Sequence, residues 1–413
     1  MRPGIRQGRS DRRERGAALL TVMVTVAVLT AMAVELAYSS RVSLQIAANA
    51  RDELRASYAA RSGVSLARLV LSFQQQIDAA GAMGGNLALP RVQLWNLVPV
   101  TSALADGLFP AAPGKGGAGG TAFDARVEDE ALKVNAQLKG FLGTGDLKLW
   151  QRTQSLYQLV CDARWDPLFD REDDRGNKTS REDLLVHLRD WVDENERTSD
   201  LAVAAGSAAT CGLVVKQPPF VDAFGDENQL YDKGDDRYRA KNAYMDSLDE
   251  LYLVAGIGDA FMTAFQDNLT VYLSQSAKQN VNTTDRQRIL LNARLIADQP
   301  LDPMFQDPAF ADRLVKAMME RTLGGILSIT PKDFGQLVAL AGVKTNASLL
   351  GTGTGTGPND ALTDRSDTFR IRAKGTAGTV TTGIDAVVRM DSPQQTMGQP
   401  VAAPGRLVHW REE

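Results

Sequence analysis

The strongest constraint on this chain is at its amino terminus. Residues 1–16 are polar and basic, and residues 17–38 (AALLTVMVTVAVLTAMAVELAY) then run almost uncharged, with Glu35 alone near the far end. Twenty-two helical residues span about 33 Å, enough to cross a hydrocarbon core. Residues 1–16 carry six Arg against Asp11 and Glu14, a balance of +4. This predicts an amino terminus held on the cytoplasmic side and a body beyond the membrane. The whole chain is −4, so the remainder carries −4 − (+4) = −8. A mildly acidic body argues against a nucleic-acid binder, which needs a basic face to displace counterions.

Three readings of this terminus compete. A secretory signal has a shorter apolar run and a small-residue exit, and the run here is too long. A plain membrane anchor is the second. The third is a type IV pilin-like leader, in which a basic segment ends in Gly immediately before the apolar run. The passage Arg15-Gly16-Ala17-Ala18-Leu19-Leu20-Thr21 resembles such a leader, and the resemblance implies cleavage by a prepilin peptidase between Gly16 and Ala17. The pilin-like reading fits best. The helix is expected to continue past the membrane, because no Pro interrupts residues 17–89. Val42, Ile46, Ala50, Leu54 and Tyr58 recur every four residues, and Val64, Leu66, Leu69, Val70 and Phe73 extend the apolar pattern. A helix of roughly 55–60 residues is longer than globular helices usually are. A coiled-coil stalk fits less well, since no heptad with flanking charge pairs is sustained.

The body adds motifs that are individually weak but ordered. They are Phe123–Glu130 with Asp129-Glu130 and then Lys133-Val134-Asn135; Asp190-Trp191-Val192-Asp193; Gly234–Asn242 with Asp235-Asp236 and Tyr238; Asn242–Gly256; Lys278–Thr284; and Ser366-Asp367-Thr368-Phe369. Together with the leader they resemble the K-type minor pseudopilins of type II secretion systems (general secretion pathway protein K). The resemblance implies an α+β fold: a pilin-like long N-terminal helix on an antiparallel sheet, with helical, SAM-like subdomains inserted before the final strands. Its expected divisions are a leader (1–16), a transmembrane part (17–38) and a periplasmic part (39–78) of the spine helix, a flexible Gly-rich loop (79–122), a first strand plus helical inserts (123–350), a Gly/Thr linker (351–365), C-terminal strands (366–392) and a tail (393–413). Thr21, fifth residue of the cleaved chain, stands where most pilin-like subunits carry Glu. A non-acidic residue there is a K-type trait and implies a subunit with no neighbour above it.

The implied role is mechanical, at the tip of the pseudopilus: helping to initiate assembly and engaging exported protein or the outer-membrane channel. The implied partners are I- and J-type minor pseudopilins through the N-terminal helix, the prepilin peptidase and the inner membrane, with a single pass and the body in the periplasm. No residue set suggests catalysis, and nucleic acid is not an expected partner. The alternatives are a minor type IV pilin in adhesion or DNA uptake, and a membrane-anchored periplasmic hydrolase, whose paired carboxylates need a pocket.

Calcium is the one cofactor implied, held by Asp193, Asn195, Asp235 and Asp236, with Asp226, Glu227 and Asp232 lying between. A second acidic run, Asp170, Glu172, Asp173, Asp174 and Asn177, fails as an EF-hand, because positions six and twelve fall on Arg175 and Arg181. Only two cysteines, Cys161 and Cys211, and two histidines, His187 and His409, are present. That leaves too little for a structural zinc site. In an oxidising compartment the cysteines are a candidate bridge, the alternative being two buried free thiols. Gly351–Pro358 (GTGTGTGP) lacks the Lys of a phosphate loop and reads as a linker.

Overall fold

The computed structural model describes residues 10–83, 91–108, 120–140, 145–169, 178–204, 211, 213–233, 237–351, 357, 359–390 and 405–413. Its spine is α1 (Ser10–Met83), one helix of 74 residues. It exceeds the expected length at both ends, running back into the basic segment and forward past residue 78. After it come β1 (Val100–Thr101), β2 (Thr121–Asp129), α2 (Gly145–Val160), α3 (Arg181–Val192), β3 (Arg197–Ala204), β4 (Val214–Asp226), α4 (Arg286–Ile296), α5 (Pro308–Arg321), α6 (Pro331–Leu340), β5 (Thr368–Ala377), β6 (Val380–Arg389) and β7 (Arg406–Glu412), with shorter elements between.

Five strands form an antiparallel sheet in the order β7-β6-β5-β2-β1. Strand β5 alternates: Phe369, Ile371 and Ala373 are buried on the face toward α1, and Arg372 and Lys374 point away and are exposed. Strands β5 and β6 are joined by Gly378 and Thr379, with Gly378 at φ +59°, the conformation a two-residue hairpin needs and glycine supplies without strain. The helix meets the sheet through small side chains: Ala56, Ala60, Gly63 and Ala67 face Ala125, Ala373 and Gly375. The apolar positions spaced by four lie elsewhere. Ile46, Leu54 and Tyr58 are exposed, so that stripe does not face the sheet.

Strands β2 and β5 are sheet neighbours, yet residues 130–367 lie between them in sequence. This insert builds two further cores. One packs α2 and α3 around Trp191, Tyr231 and Phe265. The other packs α4, α5 and α6 around Phe310 and Phe334. Helix α6 begins with a capping box between Thr330 and Asp333, with Pro331 at its first position, and ends before Gly342 at φ +114°. Helix α3 has the same device in Ser180 and Asp183.

Several expectations need correction. The first strand ends at Asp129, and Glu130 opens a 3-10 turn. Helix α4 is capped by Asp285, whose side chain accepts from Arg288 N. The stretch 79–122 is not simply a flexible loop. It holds β1 and two short helices, Leu94–Leu97 and Ser102–Leu108, and Trp95 packs edge-on to Phe369 at 5.0 Å. The tail 393–413 contains β7, the sheet's outer strand. Arg61 pairs with Glu412 at 2.8 Å and Arg68 donates to Gly405 O, which tie this strand to the spine. Residues 197–204 and 214–226, for which no strand was expected, pair as the antiparallel β3–β4 hairpin, its pairing broken by two register shifts.

Candidate functional site

The first feature is the free half of α1. Its most apolar stretch has mean hydropathy 2.4 and none of it is buried in the fold. By length and composition it can cross a membrane. Thr21 sits on this exposed half, its hydroxyl donating to Ala17 O at 2.9 Å, and Thr25 and Thr30 bond back in the same way. A hydroxyl satisfied inside its own helix is compatible with lipid, where an unmade hydrogen bond is costly. Gly16 lies inside the helix, and a methyl group added there would meet nothing within 4 Å among the described residues. Packing does not require a glycine that costs the helix about 1 kcal/mol relative to Ala.

The second feature is a buried acidic cluster beside the β3–β4 hairpin. Asp190 and Trp191 lie in the last turn of α3, Asp193 is its C-cap, and Glu227 opens the turn after β4. All three carboxylates are buried. Asp190 accepts from Ser199 N at 3.0 Å. Asn195 donates to Asp193 Oδ2 at 2.7 Å, while its own Oδ1 accepts from Arg197 N. Both oxygens of Glu227, Oδ1 of Asp193 and Oδ1 of Asn242 have no hydrogen-bond partner. Burial pushes the carboxyls of Asp190 and Asp193 up to about 6 and that of Glu227 to about 7, and for Glu227 the nearby Asp193 and Asp190 add to the rise. The Asn242 side chain works against that rise in Glu227. Asn242 holds φ +50°, a conformation Asn tolerates better than most residues. Its backbone N–H is bonded to Trp191 O and its side chain to Asn195 O, which bring it to the cluster.

These oxygens are of the hard type that calcium takes. Of the expected ligands, Asp193 faces the cluster, while the oxygen of Asn195 is engaged by Arg197. Asp235 and Asp236 lie outside the described residues, as does the run Asp170–Asn177. No three His, Cys, Asp or Glu side chains converge at metal-binding geometry among the described residues. Glu227 is the member that sequence reasoning placed only between the candidates. Its signal is burial, which comes from the hairpin and from no local pattern.

The third feature is the bridge between Cys161, just after α2, and Cys211, with Cα atoms 4.8 Å apart. It joins the hairpin segment to the first insert core.

No family model matches the chain, and no curated protein does. Among solved structures it is similar to a chain of the crystal structure of the GspK-GspI-GspJ complex from the enterotoxigenic Escherichia coli Type 2 Secretion System, with a TM-score of 0.49, 13% identity, and coverage of 89% of this chain and 99% of that chain.

Proposed function

We propose that this chain is a K-type minor pseudopilin of a type II secretion system. It crosses the inner membrane once through the first half of α1, holds its body in the periplasm, and sits at the pseudopilus tip beside I- and J-type subunits. The observation that carries this reading is a single helix with two fates. Its first half is apolar and touches nothing else in the fold, and its second half is the small-residue spine of an antiparallel sheet. The outward stripe of Ile46, Leu54 and Tyr58 continues the unpartnered surface above the apolar half and supports packing against neighbouring helices. The ordered motifs that resemble the K family, and a leader Gly16 for which the fold has no use, support the same reading. Its role is mechanical: starting the filament and meeting exported protein or the outer-membrane channel.

Calcium belongs to this proposal. Asp193 and Glu227 would supply carboxylates and Asn242 a carboxamide oxygen, with Asp235 and Asp236 as further ligands. The ion would neutralise buried charge and fix the hairpin to α3.

The test is the mass and first residue of the mature chain, expressed with a prepilin peptidase. Cleavage between Gly16 and Ala17, abolished in Gly16→Arg, is expected, together with co-purification of the processed chain with I- and J-type subunits. An uncleaved chain, or one cut beyond residue 38, overturns the reading.

A further inference from the structure

A cavity of about 420 Å³ lies beside the last residues of β2, within the about 300–1,000 Å³ of ordinary ligand sites. Val127, Glu128 and Asp129 all line it. Successive residues of a strand point to opposite faces of the sheet, so a space that touches three in a row runs along the strand's edge. One edge of β2 is taken by β5 as far as Asp129. On the other, β1 pairs only with Asp124 and Ala125. The chain just before β1 leaves the ladder as the short helix Leu94–Leu97, and Trp95 and Asn96 of that helix form a wall of the cavity. Among the described residues no strand pairs with Val127–Asp129 on this side. An open edge presents unpaired N–H and C=O groups, which take an added strand. A helix has spent its backbone groups internally and a lipid tail has none, so neither matches this edge.

The side chains around the edge narrow the choice further. Lys133 is held by Glu130 at 2.7 Å, Arg372 by Glu128 at 3.0 Å, and Asp129 by Ser366 and Asn280. Arg288 is different. Its Nε donates to Asn268 Oδ1 at 3.1 Å and its Nη2 to Asp267 O at 2.8 Å, both neutral acceptors, and it forms no ion pair among the described residues. The Asp267 carboxylate forms none either, but it is exposed and solvated, whereas Arg288 is half-buried. Trp95, half-buried and packed on Phe369, supplies an apolar wall. The cavity also sits at the end of the spine away from the apolar half: Leu94 N donates to Gln74 Oε1 at 2.9 Å, in the last turns of α1.

We propose that this groove binds an extended peptide segment, which adds as a strand to Val127–Asp129, sets an apolar side chain against Trp95 and pairs an acidic side chain with Arg288. The inference rests on the secretion reading above, under which the segment belongs to the exported protein and the groove is where the tip grips it.

The test is fluorescence polarisation with the full chain in detergent and overlapping labelled peptides that together cover one protein exported by the same system. At least one peptide, carrying Asp or Glu, should bind saturably. Methylating alternate backbone nitrogens of that peptide, on its pairing edge, should abolish binding. Arg288→Gln should weaken binding about tenfold, while Lys316→Met, which changes an exposed lysine on α5, should leave it unchanged. Should Arg288→Gln fail to fold, Asn96→Trp, which fills the groove from an exposed position, is read in its place. A set of peptides without a binder, or binding that survives N-methylation or the groove variant, overturns the proposal. Cleavage at Gly16 in the same preparation separates that result from a failure of the secretion reading, in which cleavage itself is missing.

Discussion

Gly375 of β5 lies directly against Ala56 of α1. A methyl group on Gly375 would collide with the Ala56 carbonyl oxygen and fall 2.5 Å from Ala60 N. Backbone meets backbone here, so no side chain can move aside. Gly375→Ala should therefore destabilise the chain by about 1–3 kcal/mol through overpacking. Gly383→Ala on β6 is the control, since its methyl would meet only Glu413 at ordinary contact distance. Urea midpoints of the two variants check this, and equal midpoints would refute the close approach.

Glu130 has no exposed side-chain surface and is held by Lys133 and Arg370, each at 2.7 Å. The two cations hold its carboxyl below the usual range despite burial. Arg370 also reaches Asp385 at 2.9 Å, so the network joins the insert to the sheet. Glu130→Gln leaves two buried cations short of a counter-charge and should cost about 3–5 kcal/mol. Chemical denaturation measures it.

Burial pushes Asp129 up to about 6 against hydrogen bonds from Ser366, Ala131 and Asn280. Its folded pKa lies above its unfolded value, so the folded state holds the proton more tightly. Its contribution to stability therefore falls as pH rises between about 4 and about 6, by on the order of 3 kcal/mol. Asp190, Asp193 and Glu227 are shifted the same way. Glu130 acts in the opposite sense below the carboxylate range. The urea midpoint of the wild type should drop between about pH 4 and about pH 7, and in Asp129→Asn the drop should be shallower. Parallel curves would count against the assignment.

The bridge between Cys161 and Cys211 spans 50 positions. Closing a loop of that length restricts the unfolded chain by about 4 kcal/mol. Replacing both cysteines with Ser should lower stability by about 2–4 kcal/mol. Reductant should then have no further effect on the variant's melting midpoint, while lowering that of the wild type.

Thr21 satisfies its own hydroxyl within α1. Thr21→Val should leave co-purification with I- and J-type subunits unchanged. Thr21→Glu places a carboxylate near the cytoplasmic end of the apolar half, where an unpaired charge costs less than the about 2.5–3.5 kcal/mol of the bilayer centre, and should reduce recovery of the complex. Pull-down yields read both.

The elements legible in the sequence were those written in local chemistry. An uninterrupted apolar run marked α1, and the passage Ser366-Asp367-Thr368-Phe369 marked the C-terminal strands. What the sequence concealed depends on distant contacts. The face of α1 that meets the sheet is lined by Ala56, Ala60 and Gly63, residues too small to register as a hydrophobic stripe, while the conspicuous Ile46, Leu54 and Tyr58 point outward. Strand β7 is half exposed along an edge and shows no clean alternation. The β3–β4 hairpin is obscured by register shifts. At the acidic cluster the α3 terminus was readable from Asp190-Trp191-Val192-Asp193. The burial of Glu227 was not, because it follows from how the hairpin folds over α3.

Because β2 finds its sheet neighbour only after residues 130–367 have passed, the order in which the sheet can form is constrained. While the later strands are missing, the alanine-lined flank of α1 is covered only in part, by Phe123 and Ala125 of β2 beside Gly63, and the stretch that Gly375 approaches stays bare. The spine becomes presentable only when β5, β6 and β7 arrive, and the Arg61–Glu412 pair fastens the outermost of them. A chain clipped before residue 368 lacks β5, β6 and β7 and leaves that part of the spine uncovered.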